Sequence, residues 1–457
     1  MNSATQEYIR QHTNEDVRRL ALQGTKNPEV DLPWALDQIA GRQQARTKLP
    51  TWAAIEGIIY PPHLSMEQCS SEQTARYKAS IAGEGALVVD LTAGFGVDMA
   101  FLSQQFQHAV HVERQEPLCA ISSENYRQLG LNHIEVVCAD AVDYLHQLDH
   151  ADLFFLDPAR RDKQGSRTYS ISDCTPNVLE MMDELLEKAD RVFLKLSPML
   201  DWRKAVADIL SPLTIDHSSN GEADSSLFTL HSSLNCEADS SLFTLHSSLN
   251  CEADSSLFTL HSLLNLEVHI VSVGNECKEL LILLGRPHLS SPIGEGRLVC
   301  VNDNSLFETS FSVDDFSLGD NECRFASKEL LPYRGGWEGS FLYEPNASIM
   351  KAGCFGEVAA RFGVSPLSAN SHLFVSPHFI EDFPGRKFQI SAISSTNKRE
   401  LKTALAGLTQ ANITVRNFPM TVAELRRRLK LSDGGDTYIF ATTLADNRHV
   451  LLICSRR

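Results

Sequence analysis

The apolar positions of this chain change their spacing twice. Up to about residue 75 they recur at helical intervals. "TNEDVRRLALQG" opens on cap residues and acids and closes on Gly24, and "PEVDLPWALDQIAGRQQARTKLPTW" continues the same period. "SSEQTARYKASIA" starts a further helix, with a Ser70-x-x-Gln73 capping box predicted at its head. From Gly85 the pattern shifts to short apolar runs set between helical stretches. "ALVVDLTAG", "HAVHVER", "IEVVCAD", "DLFFLD" and "RVFLKLSP" read as strands. "VDMAFLSQQF", "EPLCAISSENYRQLG", "AVDYLHQL" and "TPNVLEMMDELLEKA" read as the helices between them. Strands and helices alternating on short connections predict a parallel, Rossmann-like α/β sheet covered on both faces. "LEVHIVSVG" and "KELLILLG" follow with only "NEC" between them, too little chain for a crossover helix, so they are expected to form an antiparallel hairpin.

After residue 286 the runs shorten and mix with turn residues, which predicts α+β C-terminal domains. Residues 287–386 read as a small one. Residues 387–457 read more sharply, as a compact β-α-β-α-β-β module. The expected division is therefore a helical region at 1–75, a sheet domain at 76–286, and the two C-terminal domains. One segment interrupts the second of these. "EADSSLFTLHSSLNC" occupies Glu222–Cys236, recurs letter for letter at Glu237–Cys251, and appears a third time from Glu252 with changes only at Leu263 and Leu266. Structural repeats keep their core positions and let the surface drift. Identity that extends to the polar positions indicates duplicated coding sequence instead. Residues 216–265 are therefore expected to be a poorly ordered insertion without a part in chemistry.

Composition narrows the function classes. No apolar run approaches the roughly 18 residues of a membrane span. The polar start, "MNSATQEYIRQHTNED", has no apolar signal core, so a cytoplasmic protein without a membrane partner is expected. The 11 cysteines form no CxxC pair and there is no HExxH, so no metal site is expected. Net charge is -17, but it is uneven. From Arg386 onward there are 13 Lys and Arg against 5 Asp and Glu, whereas 216–265 carries 7 acids and no Lys or Arg. A basic module on an acidic body suits a polyanionic ligand, and it equally suits a small domain with a solvated basic face.

Candidate chemistry gathers at the strand ends. The first strand ends on Asp90 and runs into Leu91-Thr92-Ala93-Gly94-Phe95-Gly96 before the next helix. Glycines at Gly94 and Gly96 let backbone approach a ligand closely, and the Asp90 carboxylate can pair with a positive amino group. Glu113 ends the second strand, where an acid can take both hydroxyls of a ribose. Asp140 ends the third, where a carboxylate can accept from an adenine amino group. Acids also end strands for plain structural reasons. Three in succession behind a G-x-G turn point to a nucleoside-bearing cofactor.

On these residues the segment from about Ser65 to Gly285 resembles the class I S-adenosylmethionine-dependent methyltransferases. The layout "SSEQTA…VVDLTAGFGVD…HVER…CADA…FFLDPAR" is similar to their RNA-modifying branch. With its helical start and the ending "ITVRNFPMTVAELRRRLKLSDGGDTYIFATTL", the whole chain resembles the bacterial THUMP-like-domain methyltransferases. That resemblance implies S-adenosylmethionine as cofactor, held by Asp90, Thr92, Gly94, Gly96, Glu113 and Asp140. It implies an RNA partner, rRNA or tRNA. The fourth strand ends in Asp157-Pro158-Ala159-Arg160, where amino-methyltransferases of nucleic acids carry D/N-P-P-aromatic. The resemblance makes Asp157 and the Pro158 carbonyl acceptors for the hydrogens of a target amine. Ala159 replaces the second proline, and Arg160 stands where an aromatic ring stacks on the base, a contact that a guanidinium can also make.

Alternatives stand beside these roles. Asp157 can be a turn acid, and Arg160 and Arg161 can pair with Asp162. Lys195 reads as a snorkelling surface lysine. Tyr169 can supply a stacking ring or pack locally. Asn346 is a further cleft candidate by resemblance. Arg426, Arg427, Arg428 and Lys430 spread around a helix, so only part of the run can face phosphates. Three functions follow: a methyltransferase for a base nitrogen in RNA, a methyltransferase for a small molecule or protein, and an RNA-binding scaffold with a vestigial cofactor site.

Overall fold

The computed structural model describes residues 2–159, 170–211, 264–285, 294–313, 316 and 339–457. The chain divides into two compact units. One comprises Met1–Leu266 and Leu281–Gly294, the other Glu267–Leu280 and Glu295–Arg457. The duplicated segment lies outside the described residues except for the last three positions of its third copy, Leu264, Asn265 and Leu266, of which the latter two open β6.

The first unit begins with six helices: α1 (Ser3–His12), α2 (Val17–Gln23), α3 (Leu32–Lys48), α4 (Pro50–Ala53), α5 (His63–Gln68) and α6 (Glu72–Ile81). Asn2, Asp16, Asp31 and Ser71 cap α1, α2, α3 and α6 through side-chain oxygens, satisfying donors that a helix start leaves unpaired. The cap of α6 is Ser71, not Ser70; its third helical residue is Thr74, so the expected Ser70–Gln73 capping box is replaced by a simple serine cap, and the Ser70 hydroxyl bonds Asp98 instead.

Strands and helices then alternate: β1 (Gly85–Asp90), α7 (Val97–Leu102), β2 (Phe106–Glu113), α8 (Glu116–Leu129), β3 (Ile134–Cys138), α9 (Ala141–Gln147), β4 (Ala151–Leu156), α10 (Val178–Lys188), β5 (Ala189–Leu196) and α11 (Trp202–Leu210). β1 pairs in parallel with β2 and β4, β2 with β3, and β4 with β5. A hairpin follows, β6 (Asn265–Val273) and β7 (Glu276–Gly285), then β8 (Glu295–Asn302) and β9 (Ser305–Ser312). The sheet order is β3-β2-β1-β4-β5-β7-β6-β8-β9, a Rossmann-like α/β sheet as the pattern predicts. The hairpin turns on Gly274 and Asn275, both at positive φ (59° and 62°), the geometry of a two-residue type I′ turn.

Leu153, Phe154, Phe155 and Leu156 of β4 are at most 1% exposed, so the central strand needs no polar alternation. The N-terminal helices join the same core. The Trp52 ring meets Phe95 edge-on at 5.2 Å. The buried Asn125 amide holds the backbone of Ile59 by both its N–H and its C=O, each at 2.8 Å. Gln38 holds Tyr60 in the same way.

The second unit contains a seven-stranded sheet. Its elements are β10 (Phe341–Pro345), α12 (Ala347–Ala352), α13 (Phe355–Phe362), β11 (Ser365–Pro366), β12 (Phe374–Ser376), β13 (Gly385–Ser395), α14 (Lys398–Ala404), β14 (Asn412–Arg416), α15 (Val422–Leu429), β15 (Thr437–Thr443) and β16 (His449–Arg456). The order is β11-β12-β10-β13-β16-β15-β14. From β13 onward the succession is β-α-β-α-β-β, with β14 and β15 parallel across α15 and the pairs β13–β16 and β15–β16 antiparallel. Gly385 is required at the head of β13, since a Cβ there would stand 2.1 Å from the Glu344 carbonyl oxygen.

Candidate functional site

The parallel register carries the C-terminal ends of β1, β2 and β4 to one edge of the sheet. Asp90 stands opposite Phe155 and His111. Beyond the strand, the Leu91 N–H donates to the Phe155 carbonyl and the Ala93 N–H to the Val112 carbonyl, both at 3.0 Å. The turn after β1 is thereby clamped between its neighbours.

Side chains complete the clamp. Asp90 accepts from the Thr92 N–H at 2.9 Å, and the Thr92 hydroxyl oxygen accepts from the Asp157 N–H at 2.6 Å. Asp90, Thr92 and Asp157 form one bonded chain. Glu113 accepts from the Gly94 N–H at 3.0 Å with one oxygen and from the Gln115 N–H at 2.8 Å with the other. Each carboxylate oxygen keeps a further lone pair for a hydroxyl donor. Asp140 is exposed at the end of β3 and caps α9 through the Val142 N–H at 2.9 Å.

The two glycines differ. Gly94 has φ 56°, and a Cβ there would meet nothing nearer than 3.9 Å, so the turn is open on that side. Gly96 has φ 81°, and a Cβ would fall 2.1 Å from the Tyr126 hydroxyl. That hydroxyl donates to the Gly96 carbonyl at 3.1 Å and lies 2.8 Å from Nδ1 of the buried His111. Burial lowers the His111 pKa to about 3, so the ring is neutral, and with the Tyr126 proton committed, Nδ1 carries the hydrogen.

Asp90 is 1% exposed, and burial pushes its carboxyl well above the ordinary range against the pull of the Thr92 N–H. The nearby Asp98 and Asp157 push the same way. A buried carboxyl of this kind suits a cationic partner.

Four residues behind the turn were not found as a group in the sequence. Lys78 of α6 is fully buried, lies 3.1 Å from Asp98 of α7, and donates to the Ser70 hydroxyl at 3.0 Å. Ser70 in turn donates to Asp98 at 2.7 Å. Lys195, at the end of β5, lies 3.5 Å from Asp98 and pairs with Asp157. Burial would raise the Asp98 carboxyl, but Lys78 and Lys195 hold it below its usual range. The surface reading of Lys195 is thus corrected: it is 7% exposed and joins two acids, because β5 ends inside the sheet edge. The only sequence signal was its place at a strand end.

Pro158 is buried, and the backbone of Ala159 exchanges two hydrogen bonds with Thr175, fixing the start of the loop after β4. Arg160, Arg161, Asp162 and Tyr169 lie outside the described residues. Asn346 is in the second unit, where it caps α12. Arg426 bonds Asp433, Arg427 the Ala423 carbonyl and Arg428 the Thr396 carbonyl, all within the terminal module. Among the described residues no group of His, Cys, Asp and Glu is placed to hold a metal ion, and no helix is long and apolar enough to cross a membrane.

Comparison with known proteins adds to this geometry. A family model described as THUMP domain-like matches residues 385–456, and one described as a ferredoxin-like domain matches 341–384. No curated protein matches the sequence. Among solved structures, a presumed methyltransferase from Porphyromonas gingivalis W83 is similar over 99% of this chain and 97% of its own, with a TM-score of 0.73 and 28% identity. An rRNA methylase from Streptococcus thermophilus matches 47% of this chain and 95% of its own at 12% identity, with a TM-score of 0.27, too distant to bear on function. The chain is thus a class I methyltransferase by fold, with a THUMP-like domain at residues 385–456.

Proposed function

We propose that the protein transfers a methyl group from S-adenosylmethionine to a base nitrogen in RNA, with the basic C-terminal module presenting the RNA. The observation that carries this reading is the bonded chain Asp90–Thr92–Asp157. It couples a buried carboxyl suited to a cationic amino group to an acid suited to a target amine.

The residues fit the cofactor. Asp90 would take its amino group, the open side of Gly94 its methionine portion, Glu113 the ribose hydroxyls and Asp140 the adenine edge. When bound, S-adenosylmethionine supplies an electrophilic methyl group. The chain's own part is orientation and exclusion of water. Asp157 and the Pro158 carbonyl would accept the two amine hydrogens and turn the nitrogen lone pair toward the methyl carbon. Lys195 positions the Asp157 carboxylate, and Asp98 with Lys78 positions Lys195. Arg160 would lie against the base or a phosphate.

Nucleoside mass spectrometry of RNA from a deletion strain and its parent tests the reading. One methylated nucleoside should be missing from the deletion strain, restored by the wild-type protein and not by Asp157→Ala. An unchanged nucleoside profile would sink it, and methyl transfer to a protein or small molecule instead would establish the second alternative.

A further inference from the structure

The second unit contains a cavity of about 440 Å³ that has no part in the site above. Four loops and strand ends meet there: the Gly274-Asn275 turn, the turn from Asn302 to Ser305, the cap residue Asn346, and the run from Asp382 into β13. Three basic side chains line it, Arg386, Lys387 and Arg456, against one acid, Asp382. The balance is positive in a protein whose total charge is -17. Arg386 is held in place by Glu344 at 2.6 Å. Arg456 pairs with Phe388 across the strands, so it stands on the same face as Arg386, two positions along β13.

Three asparagines, Asn275, Asn302 and Asn346, also line it. Asn275 is fixed by accepting from the Ala347 N–H at 2.8 Å, and Asn346 by accepting from the Ile349 N–H and the Ser348 hydroxyl. Asn302 donates to Asp303 at 3.3 Å, which orients its amide. Its side-chain oxygen is buried and has no hydrogen-bond partner among the described residues. A buried acceptor left unpaired is costly, and a ligand N–H relieves the cost.

We propose that this cavity binds a nucleotide, its phosphate against Arg386 and Arg456 and a base N–H on Asn302. Guanidinium forks match phosphate oxygens, and asparagine amides match base edges. The volume falls within the range of small-molecule sites. The nucleotide is either free or the phosphorylated end of an RNA, and in the second case the proposal rests on the RNA reading above.

Equilibrium titration of the full-length protein with AMP, CMP, GMP and UMP, and with a short single-stranded RNA with and without a terminal phosphate, tests it. At least one probe should bind, and Arg456→Ala should weaken it tenfold or more, with partial recovery in Arg456→Lys. Asn302→Leu should weaken a mononucleotide but not inorganic phosphate. Both substituted proteins should bind S-adenosylmethionine as the wild type does, which shows that they are folded. Comparable binding of mononucleotide and RNA marks a free-nucleotide site; binding of RNA alone marks a substrate-end site. No binding by the wild type at millimolar concentration, or unchanged binding by Arg456→Ala, overturns the proposal. Intact nucleotide binding in a protein that methylates no RNA overturns the RNA reading alone.

Discussion

Asp90 illustrates how burial prepares a residue for a charged ligand. Its carboxyl is pushed well up in the free protein because burial disfavours the ionised form. A cationic amino group favours the ionised form. Binding S-adenosylmethionine should therefore release a proton and should weaken as pH falls through the raised value. Calorimetry in buffers of different ionisation enthalpy should show that release for the wild type and none for Asp90→Asn. The substitution should cost about 1.5–3 kcal/mol of binding, the usual worth of a hydrogen bond to a charged group. Lys195 acts through Asp157 and offers a different readout. Lys195→Met should lower the rate of methyl transfer more than the apparent KM for RNA, and Lys195→Arg should restore part of the rate. Equal rates in Lys195→Met and wild type would remove the lysine from the mechanism.

The α6 and α7 helices are joined by charge as well as by packing. Lys78 and Asp98 face each other in the interior, so removing one leaves the other without its main partner. Breaking a buried pair in this way costs about 3–5 kcal/mol. Lys78→Met should lower the midpoint of urea unfolding by that measure, and Lys78→Met with Asp98→Leu should recover much of it. The β1–α7 turn rests on a second support, Tyr126 and neutral His111 beneath Gly96. Both supports explain why helices outside the sheet matter to its edge. The N-terminal region is tied by Trp52, through Phe95, and by Asn125 of α8, through Ile59, to the same elements that hold the turn.

Across the whole molecule, what could be read in advance follows from the range of the signal. The strands of the parallel sheet were legible because buried strands announce themselves as local apolar runs. Asp90, Glu113 and Asp157 were legible as strand-end acids because the strand ends were. The Lys78–Asp98–Lys195 cluster was not, since Asp98 and Lys195 stand 97 positions apart and a buried lysine has the same letter as a solvated one. Ser70 and Ser71 offer the same capping chemistry to α6, and only the structure shows which hydroxyl faces α7. The terminal β-α-β-α-β-β module could be read from its periodicity. The nucleotide-sized cavity could not, because its walls come from segments more than a hundred residues apart.

The division of the chain has a consequence for how the protein is made. Passing from Leu266 to Glu267, from Leu280 to Leu281 and from Gly294 to Glu295, the chain changes unit three times, with the β6–β7 hairpin contributing to both. During synthesis the first unit therefore cannot be completed when its last helix leaves the ribosome. It must wait for residues 281–294, by which time the first strand of the second unit has already emerged. A fragment ending at residue 266 should consequently be recovered as an aggregating or chaperone-bound species rather than as an independent enzyme, and methyl transfer is better separated from nucleotide binding by point substitution than by truncation.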